Sequence, residues 1–164
     1  MAQFAPIVRS QAEEKTALAM TCRDAAQAVE FYKKAFGAKE VYRYVDRAGR
    51  MVYADIRLGD SRFMVYDAFA DMDEAAESAI LSGPVMMHFH TENVDAVVGR
   101  ALAAGAKLNG AIKNQFYGER GGSITDPFGH QWWVAEEVEA LSLEELKDRA
   151  VAQWREQTEW RAVV

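Results

Sequence analysis

The chain is poor in the residues that build several common kinds of site. One cysteine among 164 residues rules out an intrachain disulfide and a CxxC redox pair. Cys22 sits in an apolar run and reads as a core residue, and such cysteine usage fits a reducing cytoplasm. Positive charge is also scarce, the formal net charge being −6. Phosphate backbones demand a basic surface, so nucleic acid is not an expected partner. No apolar run approaches the roughly 20 residues a membrane helix needs, so no membrane partner is expected. The start, "MAQFAPIVRSQAEEK", lacks the basic-then-apolar pattern of a secretory signal and reads as a loose arm over residues 1–15. There is no Gly-rich phosphate loop and no nucleophile elbow. Histidine is scarce too: two of the three, His88 and His90, stand two residues apart in "GPVMMHFHTENVD".

What the chain does have is apolar content, half of all residues, enough for one globular domain without disulfides or a structural metal. It also has an internal repeat. "DAAQAVEFYKKAFGAK" (24–39) aligns with "ENVDAVVGRALAAGAK" (92–107), placing Gly37-Ala38-Lys39 on Gly105-Ala106-Lys107. Both segments carry helical spacing: Val29, Tyr32, Lys33 and Phe36 share a face of the first, as Val97, Arg100, Ala101 and Ala104 do of the second. Gly37 and Gly105 stand where a left-handed residue ends a helix. Each helix follows a short apolar strand candidate, "TALAMTC" or "PVMMHFH". After the first come "EVYRYV", "MVYADIRLG" and "SRFMVYD"; after the second, a weaker "AKLNG", then "GSITDPFG" and "HQWWVAE". The order is β-α-β-β-β twice, an α+β domain over 16–137 with modules at about 16–70 and 83–137.

In "MVYADIRL", Val52, Ala54, Ile56 and Leu58 form an apolar face that should meet the helix. Met51, Tyr53, Asp55 and Arg57 form a mixed face suited to solvent or a polar-lined cavity. Residues 138–164 read as a helical extension. Ser142 and Glu145 fit a capping box, and Leu143, Leu146, Ala150, Trp154 and Trp160 fit one apolar stripe.

"VEFYKKAFGAK" and "DPFGHQWW" together resemble the PhnB-like branch of the glyoxalase/bleomycin-resistance family, in the vicinal oxygen chelate superfamily. "GRMVYADIRLGDSRFMVYD", "ENVDAVVGRALAAGA" and "NQFYGERGGSITDPFGH" extend the likeness from about Thr16 to Leu146. The resemblance implies two βαβββ modules with curved mixed sheets around a cavity, assembled as a homodimer. It also implies either metal-dependent isomerase, lyase or dioxygenase chemistry or metal-free binding of a small molecule.

Metal-dependent relatives draw His and Glu ligands from the first and fourth strands of each module. Those positions carry over to Met86, to Trp133, to Phe63 through the repeat, and to a residue within "KTALA". None is an N or O donor of the kind a divalent ion needs, so no metal cofactor is expected at the family position. His88 and His90 share the face of Met86 and leave an alternative open. They could bind a divalent metal with a carboxylate from Asp55, Asp67, Glu136 or Glu137, or act as general acid and base, or line a pocket. Tyr53 and Asp55 could assist them. "NQFYGERGG" reads as a loop in which Tyr117 stacks on a ligand and Arg120 binds an anionic group. With Phe63, Met64, Met86 and Trp133 as an aromatic and thioether wall, the expected ligand is a small aromatic or amphipathic molecule. His130 reads as a fixture of the "DPFGH" turn. Glu137 and Tyr53 stand where many relatives carry His, so no activity resting on those histidines is expected.

Overall fold

The computed structural model describes residues 18–68 and 85–159, with side chains described as far as residue 153. The N-terminal arm and Trp160 lie outside the described residues, as does the side chain of Trp154. The chain divides into two units: Met1–Pro84 with Pro127–Gly129, and Val85–Asp126 with His130–Val164.

The first unit runs β1 (Leu18–Cys22), α1 (Ala25–Phe36), β2 (Lys39–Val45), β3 (Met51–Leu58) and β4 (Ser61–Asp67). Its sheet has the order β1-β4-β3-β2, with β1 parallel to β4 and the other pairs antiparallel. Asp24 caps α1 by accepting the Gln27 amide at 2.9 Å, and Gly37, at φ 74, closes it through a left-handed turn. Ala25, Ala28, Val29, Phe31, Tyr32, Ala35 and Phe36 are buried, so the helix turns a broad apolar stripe inward. Asp67 Oδ2 accepts the Ala25 amide at 3.1 Å, which marks the helix side of β4. Burial pushes the Asp67 carboxyl upward, against the pull of that amide.

The expected apolar face of β3 is on that side: Ala54, Ile56 and Leu58 are buried, while Val52 is only half-buried near the strand's start. The mixed face is not solvent. Met51, Tyr53 and Asp55 are buried as well.

The second unit runs β5 (Met86–His90), α2 (Val94–Ala103), β6 (Lys107–Leu108), β7 (Lys113–Asn114), β8 (Glu119–Thr125), β9 (Gln131–Glu137) and α3 (Leu143–Glu159). The sheet order is β5-β9-β8-β6, β7 also pairing with β8; β5 and β9 are parallel. Asn93 caps α2 through the Ala96 amide at 2.9 Å, and Glu136 Oε2 accepts the Val94 amide at 2.7 Å. This is the arrangement of Asp24 and Asp67 repeated. The two caps therefore match Asp24 with Asn93, not with Glu92, because α1 is one turn-closing residue longer before its glycine.

Two segments differ from expectation. "ERGG" is not loop: Glu119 opens β8, and Gly121 and Gly122 are packing positions rather than hinges. A Cβ on Gly121 would stand 2.8 Å from the Ala135 Cβ and 2.7 Å from the Val134 carbonyl. Only a bare backbone fits there. On α3 the capping box forms, with the Ser142 amide donating to Glu145 Oε2 at 2.9 Å. Leu143, however, is 67% exposed and does not join an inward stripe. Arg149 ties the helix down instead, donating twice to Glu139 at 2.7 and 2.6 Å and once to the Phe116 carbonyl at 3.4 Å.

Candidate functional site

Side-chain parity decides which expected residues meet. In the second unit, Glu136 faces α2, so Trp132 and Val134 do too, and Trp133, Ala135 and Glu137 take the opposite, open face. Met86 opposes Gln131, His88 opposes Trp133 and His90 opposes Ala135, so all three β5 residues share the open face. Met86 is 51% exposed. The His88 ring stacks on the Trp133 indole, with centroids 5.9 Å apart and planes 16° from parallel. His90 follows at 5.4 Å from His88.

Glu119 joins them from β8. Its Oε1 lies 2.7 Å from His90 Nε2. The intervening strand β9 presents only Ala135 at this point, and β8 opposes it with Gly121. Two minimal residues leave the carboxylate a clear path over the sheet to the imidazole. Among the described residues, the buried side-chain polar atoms without a hydrogen-bond partner are Glu119 Oε2 and Trp133 Nε1. Both belong to this face.

Arg120 does not. As the neighbour of Glu119 on a strand it must point the other way, and it forms a two-pronged pair with Asp95 of α2 at 2.9 Å on each prong. The loop expected from "NQFYGERGG" would let Arg120 reach a ligand; strand parity turns it to the helix side instead. Tyr117 lies in the turn before β8, packed edge-on against Phe116. Burial, then the Glu119 charge, push its phenol upward.

Tyr53 and Asp55 occupy the open face of the first sheet. There Tyr53 packs edge-on against Tyr66 with centroids 5.0 Å apart, and Tyr44 lies 5.8 Å from Tyr53. Arg62 Nε donates to Asp55 Oδ2 at 2.7 Å, its Nη2 bonds the same oxygen, and both side chains are only 9% exposed. The hydrogen bond to Asp55 raises the Arg62 guanidinium above its ordinary value. Phe63 is not with them. It opposes Ile56 and shares the helix side with Val65 and Asp67. Its counterpart in the second sheet is Trp132; the counterpart of Trp133 is Met64. A one-residue slip in aligning the repeat put Phe63 on the wrong side, and counting from the helix caps would have corrected it.

The residues at the family's metal positions do not fit a divalent ion. Met86 and Met64 are thioethers, the latter accepting the Tyr66 hydroxyl at 3.8 Å, and Trp133 is an indole. The fourth position falls in residues 15–17, outside the described residues, or on Leu18 or Ala19. Of the proposed carboxylates, Asp67 and Glu136 hold helix amides, Asp55 holds Arg62, and Glu137 is exposed at the end of β9. Among the described residues no three His, Cys, Asp or Glu side chains converge as a ligand set. His130 is a fixture of its turn: its amide and ring both bond Asp126, which also accepts Trp132 Nε1 at 3.0 Å.

Two units, each with a mixed sheet backed by one helix and an open face beyond it, define a vicinal oxygen chelate domain. A family model for the glyoxalase/bleomycin resistance protein/dioxygenase superfamily matches residues 16–134, and the chain belongs to that superfamily. It is 35% identical over 127 residues to the uncharacterized protein Mb0911c of Mycobacterium bovis, covering 76% of this chain and 84% of that one. A gene product of Arabidopsis thaliana is similar in structure, with TM-score 0.59 and 26% identity over 76% of this chain and all of the other. The fosfomycin resistance protein FosX of Listeria monocytogenes, complexed with Mn(II) and dihydroxypropylphosphonic acid, shares the fold. Its TM-score is 0.58 at 14% identity, over 85% of this chain and 98% of that one.

Proposed function

We propose that this chain is a metal-independent, PhnB-like binding protein, cytoplasmic and homodimeric, that holds a small aromatic or amphipathic molecule on the open face of the second sheet. The observation that carries the reading is the coincidence on that face of a stacked His88–Trp133 platform and two orphaned buried polar atoms, Glu119 Oε2 and Trp133 Nε1. Each unpartnered polar atom costs about 1–3 kcal/mol, which a bound molecule with a matching donor and acceptor would offset. Met86 adds a polarizable thioether edge suited to a flat ring. Because Arg120 is committed to Asp95, the reading assigns it no ligand contact, and Phe63 is likewise left out.

Elemental analysis and native mass spectrometry of the purified chain test this together. The expected result is no stoichiometric metal and a host-derived organic molecule that is lost in His88→Ala or Trp133→Ala. One tightly bound zinc, manganese or iron per chain would overturn it. The His90–Glu119 bond favours a second reading, that the same face also performs acid–base chemistry.

A further inference from the structure

A carboxylate only accepts hydrogen bonds. The 2.7 Å contact of Glu119 Oε1 with His90 Nε2 therefore puts the proton of the neutral ring on Nε2, a tautomer that ¹⁵N imidazole shifts report. That contact answers one carboxylate oxygen. The other, Oε2, is buried and unpartnered, and a neutral imidazole leaves the negative charge uncompensated. Glu137 stands directly opposite Glu119 on β9 and shares the open face, so a like charge adds to the imbalance. Neighbouring Arg120 is turned to Asp95. Register brings Lys113 to this face opposite Gly121 and Lys107 opposite Thr125, and both are exposed. Among the described residues, the ion pair that Glu119 makes is with His90 alone.

Trp133 Nε1, the other buried and unpartnered atom, calls for an acceptor and suits a ligand of either charge. Glu119 decides between the signs. An anion would meet two carboxylates on this face, whereas a cation meets its counter-ion. We propose that Glu119 Oε2 is the counter-ion for a protonated nitrogen, and that the ligand of this face is a small flat organic cation of the amine or amidine class. The inference rests on the platform reading above and adds a charge to it. The bond gained, N⁺–H···O⁻, is about twice as strong as its neutral counterpart. Folding has already withdrawn Oε2 from water, so the ligand completes this acceptor without first displacing its hydration.

Three probes of nearly one shape and different charge test it on the full chain: benzamidinium, benzamide and benzoate. Binding is read from the indole N–H signal of Trp133 in ¹⁵N-labelled protein, assigned through Trp133→Phe. Benzamidinium should bind roughly tenfold tighter than benzamide, and benzoate should not shift the signal. Glu119→Gln keeps an acceptor for His90 and removes the charge. In that variant benzamidinium should fall to the level of benzamide, while benzamide binding stays as in wild type and shows that the face is intact. Glu137→Gln, altering an exposed carboxylate, should cost benzamidinium less than Glu119→Gln does. Equal binding of benzamidinium and benzamide by wild type overturns the counter-ion assignment and leaves the platform standing. So does tightest binding by benzoate, or a preference for the cation that survives Glu119→Gln. A Trp133 signal that none of the three probes moves overturns the platform, and this inference with it.

Discussion

His90 Nε2 and Glu119 Oε1 are bonded across a strand that belongs to neither, with Ala135 lying beneath the contact. The pair exists because positions 121 and 135 are nearly empty of side chain. Gly121→Ala should force its new methyl against the Ala135 Cβ and the Val134 carbonyl. A loss of about 1–3 kcal/mol in denaturant unfolding is expected, with the His90 tautomer signal altered in whatever fraction stays folded. Unchanged stability would mean β8 and β9 are not packed this closely.

The buried knot around Asp126 makes a second prediction. Its carboxylate accepts the His130 amide at 2.9 Å and Trp132 Nε1 at 3.0 Å, and Trp132 is fully buried. Asp126→Ala strands both donors, at about 1–3 kcal/mol each. Asp126→Asn, which keeps an acceptor oxygen, should lose less than the alanine variant in the same urea titration. Trp132→Ala should cost about 3–5 kcal/mol through the cavity it leaves.

Tyr42 supplies a spectroscopic test in the first unit. Contact with the Tyr44 hydroxyl, then burial, push its phenol up to about 12 from an ordinary 10. A raised value means the folded chain holds this proton more tightly than the unfolded one. The contribution to stability is therefore complete below pH 10 and is lost as the pH rises through about 12. Absorbance titration of the phenolates should include one late-titrating group that moves back toward 10 in Tyr44→Phe.

Glu139 reports on the anchorage of α3. The Arg149 guanidinium holds its carboxyl below the ordinary 4.5. A depressed value puts the stabilisation above pH 4.5 and removes it as the pH falls through the folded value. Proteolysis within α3 should accelerate on acidification, and Glu139→Gln at neutral pH should reproduce the effect. Equal cleavage of that variant and wild type at neutral pH would show that the helix is held by other contacts.

Much of this architecture was legible from periodicity. The helices, the strands after α1, the capping box at Ser142 and the left-handed closure at Gly37 all follow from local spacing, which depends on near neighbours. The open face was legible in part. His88, His90 and Met86 share a face by parity within one strand, and Trp133 joins them only through the family resemblance. Glu119 was missed as their partner because its reach depends on two small residues on adjacent strands, and no local pattern records that. Arg120 and Phe63 were misplaced for the opposite reason: each sits one residue from a correct position, and on a strand one residue is the whole difference between faces. The acids of β4 and β9 could have signalled the slip, since each follows its helix cap at the same interval.

That interval has a kinetic meaning. Ala25 is bonded to Asp67 and Val94 to Glu136, in each case 42 residues along the chain. A helix whose first amide is satisfied only by the last strand of its unit gains that bond after the strands between have been made. Non-local closure of this kind slows folding and makes it concerted. Each unit should therefore assemble late and as a whole, and a chain cut between residues 25 and 67 should yield two fragments that order only when mixed.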